Sequence, residues 1–203
     1  VYTSLLGFIE AMNNDHINVF AVFDNEEVGS VTKQGAMSTF LVSTLNRINK
    51  ALGKSDEDYY RAIAKSMLIS CDNAHAVHPN HPELFDVKNR PVLNKGIAIK
   101  ESANQKYTTD AFSRAVLKKI LDKKNIPYQT FANRSDIVGG STLGNLSNTA
   151  VSMNAVDIGL PQLAMHSAYE TAGAKDVEYA IEALRAFFET NIDIKDDKVS
   201  LEA

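Results

Sequence analysis

The stretch FDNEEVGS, residues 23–30, sets three carboxylates, Asp24, Glu26 and Glu27, between the apolar run INVFAVF and a glycine. Carboxylates this close repel and raise one another's pKa, and burying them is costly without a compensating cation or donor. The octet therefore asks for a positive partner. Taken alone, it is equally well explained as a turn in which Asp or Asn bonds nearby backbone, or as the cap of a following helix.

Other stretches carry the same kinds of residue. CDNAHAVHPNHPE (71–83) brings Asp72 and three histidines, GIAIK ends on Lys100, NRSDIVGGSTLG (133–144) is glycine-rich, and LPQLAMHS (160–167) supplies His166. Carboxylates and imidazoles without a cysteine cluster are the ligand set of a catalytic zinc, manganese or cobalt site. The long separations mean that the fold, not a local motif, must assemble such a site. His75, His78 and His81 fall at i, i+3, i+6, but Pro79 and Pro82 interrupt any helix that would align them. These histidines are expected to orient their loop and donate outer hydrogen bonds. His16, in a polar turn, is expected to be exposed. A lysine ending an apolar strand is costly to bury alone, and a substrate carboxylate would neutralise Lys100; a lysine reaching solvent is the alternative. Gly140, Ser141 and Thr142 enter a helix whose free N–H groups suit a substrate carbonyl or carboxylate, or they form a plain capped turn.

The elements that would position these residues follow from periodicity. Short apolar runs at 17–23, 66–71, 96–100, 128–133 and 155–160 have strand character. Between them, helical spacing marks 36–52, 56–64, 109–123, 143–152 and 175–190, and the first residues, VYTSLLGFIEAM, place Leu5, Leu6, Ile9 and Met12 on one side of a further helix. Strands alternating with helices predict one α/β unit over residues 1–203, with a largely parallel central sheet covered on both faces. In such sheets ligands gather at the carboxyl ends of the strands, where the unusual residues lie. The polar DIKDDK tail is expected to fray. Val1 and the helical start without a cap read as the interior of a longer chain.

Composition narrows the class. With 203 residues, 44% hydrophobic and 23% charged, the chain supports one sizeable core. A net charge of −4 with scattered basic residues speaks against nucleic acid or an anionic membrane as partner. Cys71 is the only cysteine, so an internal disulfide is impossible and a cytoplasmic location fits. No apolar run approaches the ~20 residues that span a bilayer.

Taken together and in order, FDNEEVGS with TKQGA, SCDNAHAVHPNHPE, GIAIKESANQKYTTDA, GGSTLG and DIGLPQLAMHS resemble the aspartyl aminopeptidase family over nearly the whole chain. The resemblance implies a zinc-exopeptidase-like fold and a metallo-aminopeptidase with two divalent ions, zinc above manganese or cobalt. It implies removal of N-terminal Asp or Glu from peptides by a large homo-oligomer, a dodecamer. Carried over by position, Glu26 resembles the general base, Glu27 and His166 ligands of one metal, and Asp72 a ligand of the other. Lys100 then binds the acidic side chain of the substrate, with Gly140, Ser141 and Thr142 beside it.

The chain also departs from that family. A histidine ligand, a bridging aspartate and an inserted β-rich domain have no counterpart here, and Asn145 stands where many relatives carry proline. The 203 residues are thus expected to be the C-terminal part of a catalytic domain, weak in metal and inactive alone, with apolar surface exposed. Two other readings are a related hydrolase of N-acyl amino acids and a non-catalytic scaffold.

Overall fold

The computed structural model describes residues 1–13, 15–195 and 198–202. Its centre is a four-stranded sheet in the order β1 (Met67–Cys71), β5 (Asn154–Gly159), β3 (Ile97–Glu101), β4 (Tyr128–Ala132). β1 runs parallel to β5 and β3 parallel to β4, but β3 and β5 are antiparallel. The sheet is mostly parallel and flanked by helices, as the alternating pattern predicts. The expected convergence of strand carboxyl ends on one rim is corrected: β1 and β5 end at one edge, β3 and β4 at the other. The antiparallel register instead sets Lys100 opposite Asp157, which itself faces Ser70, two residues before Asp72.

Alternation along β3 sends Ile97 and Ile99 to one face and Ala98 and Lys100 to the other. On the first face they pack with Val156 and Ile158, with Val116, Leu117, Ile120 and Leu121 of α4 (Ala111–Lys123), and with Ala180, Ala183 and Leu184 of α6 (Ala174–Glu189). On the second, Ala98 packs with Ala74, Tyr107 and Phe131. Helix starts follow sequence chemistry: α3 (Asp56–Lys65) has a reciprocal Ser55–Asp58 cap, and Asp110 caps α4 by accepting from Ser113 N–H at 2.7 Å.

Several expected elements differ. Residues 17–23 are not a strand, because none of the described strands pairs with them. An apolar run reports a tendency to bury, but a strand also needs a ladder partner. Here Asn18 Nδ2 donates to the Phe188 carbonyl at 3.1 Å, Phe20 packs 5.9 Å from the Phe8 ring, and Ile17, Val19 and Val22 stay exposed. His16 is half-buried rather than exposed, its Nε2 lying 3.0 Å from the same carbonyl. The helix expected over 36–52 is α2 (Phe40–Ala51), and that over 143–152 stops early as α5 (Leu143–Ser147). The 193–198 tail does not fray where it is described: β8 (Asn191–Lys195) pairs antiparallel with β9 (Lys198–Glu202), and Asp196 and Asp197 lie outside the described residues. Among the described residues no helix is long and apolar enough to cross a membrane.

Helix α1 (Tyr2–Glu10) packs on α6 in an unexpected orientation. Its buried side is Thr3, Ser4 and Gly7, while Leu5, Ile9 and Met12 are exposed. Small residues win because they allow a close approach: a Cβ at Gly7 would sit 2.8 Å from Leu184 Cβ and 2.9 Å from Arg185 N. Ile17, Val19 and Val22 are exposed as well.

The loop before β3 is held by a carboxylate without a sequence signal. Asp176, fully buried in the first turn of α6, accepts from Asn94 N–H at 2.6 Å and Gly96 N–H at 2.8 Å. Gly96 adopts φ +105°, a left-handed conformation, beside the Pro127 carbonyl. Asp176→Ala strands one buried and one partly buried donor and is expected to destabilise the fold by roughly 2–5 kcal/mol. Denaturant unfolding of wild type and variant measures this, and an unchanged midpoint would refute the clamp.

Candidate active site

The acidic octet forms a tight turn. Asn25 takes φ 60°, which asparagine tolerates, and Gly29 N–H donates to the Asn25 carbonyl at 2.8 Å. This brings Glu26 and Glu27 to a cleft of about 480 Å³, whose walls also include Asp72, Lys100, Gly140, Ser141, Thr142 and His166. All eight residues to which the family resemblance gives a role thus border one cavity.

Within it, His166 Nε2 lies 2.8 Å from Glu27 Oε2. His166 sits at φ 69° and Ala164 at φ 53°, so the turn after β6 (Pro161–Leu163) bends sharply. Left-handed non-glycine residues are costly and recur at functional sites. Glu170, which the sequence reading missed, fixes that turn by accepting from His166 N–H at 2.6 Å.

Lys100 is 3% exposed, which overturns the solvated alternative. Its Nζ donates to the carbonyls of Asp72 at 3.3 Å and Asn73 at 3.0 Å, and lies 3.5 Å from Asp72 Oδ2. The Tyr107 ring stands 5.1 Å from the same nitrogen, and Asn133 Nδ2 donates to Tyr107 Oη at 3.1 Å. Tyr107 was overlooked. Its only signal is a lone aromatic in a polar loop seven residues after Lys100.

Glu26 feels opposing fields. Burial first, then the negative charges of Asp72 and Glu27, push its carboxyl above the usual carboxylate range, while Lys100 and His166 pull it down. A cation placed among these carboxylates would restore the ionised form.

The glycine-rich loop acts differently from a helix-end anion site. α5 has only five residues, Thr142 N–H donates to Asn145 Oδ1 at 3.3 Å, and Gly144 N–H donates to Ser70 Oγ at 3.0 Å. Ser141 Oγ–H also donates to Asn145 Oδ1, at 2.8 Å, so Asn145 ties this loop together. The Thr142 hydroxyl is buried and has no hydrogen-bond partner among the described residues. Of the loop histidines, His75 borders the cleft, whereas His78 and His81 stack 5.5 Å apart and bond within their own loop.

As a metal site this donor set has the right chemistry and too few members. Glu27 and His166 converge as a carboxylate and an imidazole suited to zinc, and Asp72 faces the same cavity. Among the described residues, however, no three such side chains are gathered closely enough to hold an ion.

Comparison with known proteins gives the family. A probable M18 family aminopeptidase 2 from Clostridium novyi is 48% identical over 188 residues, covering 93% of this chain and 43% of that protein. Aspartyl aminopeptidase 1 of Schizosaccharomyces pombe is 43% identical over 177 residues, 87% of this chain and 37% of that one. Among solved structures, the S. cerevisiae mApe1 dodecamer superposes with a TM-score of 0.79 at 26% identity, over 93% of this chain and 43% of that one. The chain therefore spans less than half the length of these relatives. The family described as aminopeptidase I zinc metalloprotease (M18) matches residues 1–188, and the chain belongs to that family.

Proposed function

We propose that residues 1–203 are the C-terminal part of the catalytic domain of a metallo-aminopeptidase that removes N-terminal Asp or Glu from peptides. The observation that carries this reading is the meeting, in one cleft, of the Glu27–His166 pair, Glu26, Asp72 and a buried Lys100. The name of the S. pombe relative, an aspartyl aminopeptidase, supports the acidic preference.

Glu27 and His166 would hold one zinc ion and Asp72 a second, their remaining ligands coming from polypeptide outside this sequence. When bound, the two ions polarise the scissile carbonyl and lower the pKa of the attacking water. Glu26, on the turn beside Glu27, takes the proton from that water as its oxygen adds to the carbonyl carbon. The same carboxyl returns the proton to the departing amine as the C–N bond breaks. Lys100, anchored by the Asp72 and Asn73 carbonyls, presents positive charge to the substrate's acidic side chain. Gly140, Ser141 and Thr142 line the wall along which the peptide lies. A dodecamer, by likeness to the yeast assembly, and a cytoplasmic location, by the single cysteine, complete the reading.

Hydrolysis of acidic aminoacyl amides against N-acyl amino acids, by the catalytically complete protein, tests the reaction class. Turnover of the amides alone is expected, and turnover of the acyl amino acids alone would refute the reading. Lys100→Met keeps most of the stem and deletes the charge. The preference for Asp or Glu over neutral residues is expected to shrink by about 1.5–3 kcal/mol, the contribution of hydrogen bonds to charged groups. Because Lys100 also touches Asp72, zinc content is measured alongside. An unchanged preference would leave Lys100 as the counter-charge of Asp72 only.

A further inference from the structure

The cleft has an apolar part that the reading above leaves unused. Leu84, Phe85, Ile137 and Val138 border it, and Val138 is 89% exposed, with Leu84 and Ile137 also open to solvent. Large apolar side chains gathered at a cleft mouth mark contact with an apolar group.

These four residues are held in place. Arg134 grips Asp136 through Nε at 2.9 Å and Nη2 at 2.5 Å, and its Nη1 donates to the Glu83 carbonyl. Ile137 N–H closes a turn on the Arg134 carbonyl at 3.0 Å. Arg134 thus clasps the segment of Leu84 and Phe85 to that of Ile137 and Val138. Through its neighbour Asn133 the clasp is bonded to Tyr107, whose ring stands against Lys100. A continuous set of contacts therefore runs from the buried cation to the apolar rim.

We propose that this rim receives the side chain of the residue that follows the scissile bond, so that the preferred substrates carry an acidic first residue and a large apolar second one. The inference rests on the cleft being an aminopeptidase centre. In an extended peptide, successive Cα atoms lie ~3.8 Å apart and their side chains point to opposite sides. With the first side chain directed down to Lys100, the second is directed out toward the mouth. There it meets Val138, Ile137 and Leu84 rather than charge, since the Arg134 guanidinium is already bound to Asp136 and the Glu83 carbonyl.

Isothermal titration of the zinc-loaded, catalytically complete protein carrying Glu26→Gln, so that the ligands are not consumed, with four dipeptide amides, Asp-Leu, Asp-Gly, Ala-Leu and Ala-Gly, tests this. Asp-Leu amide is expected to bind about tenfold tighter than Asp-Gly amide, as partial burial of a leucine side chain implies. Replacing both Ile137→Ser and Val138→Ser should bring that ratio close to one while leaving Asp-Gly amide affinity unchanged. Circular dichroism checks the fold of the variant. A ratio near one in the parent, or a ratio that survives the substitutions, would overturn the inference. Loss of the Asp-Gly over Ala-Gly preference would instead overturn the acidic reading of Lys100, and no binding of any of the four would overturn both.

Discussion

Replacing Glu26 by Gln in the catalytically complete protein is expected to lower turnover of acidic aminoacyl amides by roughly 10²- to 10⁴-fold, with zinc content nearly unchanged. The substitution keeps the side chain's size and its place in the turn, but an amide cannot accept the proton of the attacking water. A role in proton transfer rather than in ground-state binding predicts that the loss falls on kcat more than on KM. Turnover within a few-fold of wild type would remove Glu26 from the mechanism. A parallel loss of zinc would reassign it as a ligand.

Glu27→Gln and His166→Asn should fail in the opposite order, losing metal first and activity as a consequence. Asparagine tolerates the left-handed backbone at φ 69°, so His166→Asn removes the imidazole without imposing new strain. Outer-shell partners of a metal site already contribute 10–100-fold to affinity, so removing a ligand should weaken zinc binding by at least about 100-fold. Competition against a chelating dye measures it. The two substitutions together should cost little more than either alone, since both empty the same site. Additive losses would place the two side chains on different ions.

Much of the site was legible because each residue type is expensive where it stands. Three carboxylates in one turn and a lysine near the end of an apolar strand demand partners, and Glu26, Glu27 and Lys100 border one cleft. What stayed hidden are partners far apart in sequence. Nothing near Asp176 announces that it will hold Asn94 and Gly96, Tyr107 shows only as a lone aromatic in a polar loop, and nothing local identifies Glu170. The apolar run at 17–23 carries the period of a strand, but period cannot supply the neighbour that a ladder requires. The direction of β5 was equally invisible, because a buried run of apolar residues reads the same either way, and only pairing makes it antiparallel to β3. In α1 the conspicuous Leu5, Ile9 and Met12 misled, because close approach to α6 depends on what Gly7 lacks. The pairing of Ile192, Ile194, Val199 and Leu201 across the β8–β9 hairpin is clear once the two strands are set side by side. Read along the chain, the charged residues between them masked it.

The central claim is that this cleft becomes a zinc aminopeptidase centre when its remaining ligands are supplied. The most direct measurement is zinc stoichiometry together with amine release from an acidic aminoacyl amide. It is made on the 203-residue chain alone, and again after adding in trans the part of the C. novyi relative that this chain does not match. Alone, Glu27 and His166 are too few donors to retain zinc tightly, so weak occupancy and no hydrolysis are predicted. With the complement, two zinc ions and hydrolysis that depends on Glu26 are predicted. Two tightly held ions and full hydrolysis from the chain alone, or a complemented protein that binds zinc yet ignores the acidic amide, would contradict it.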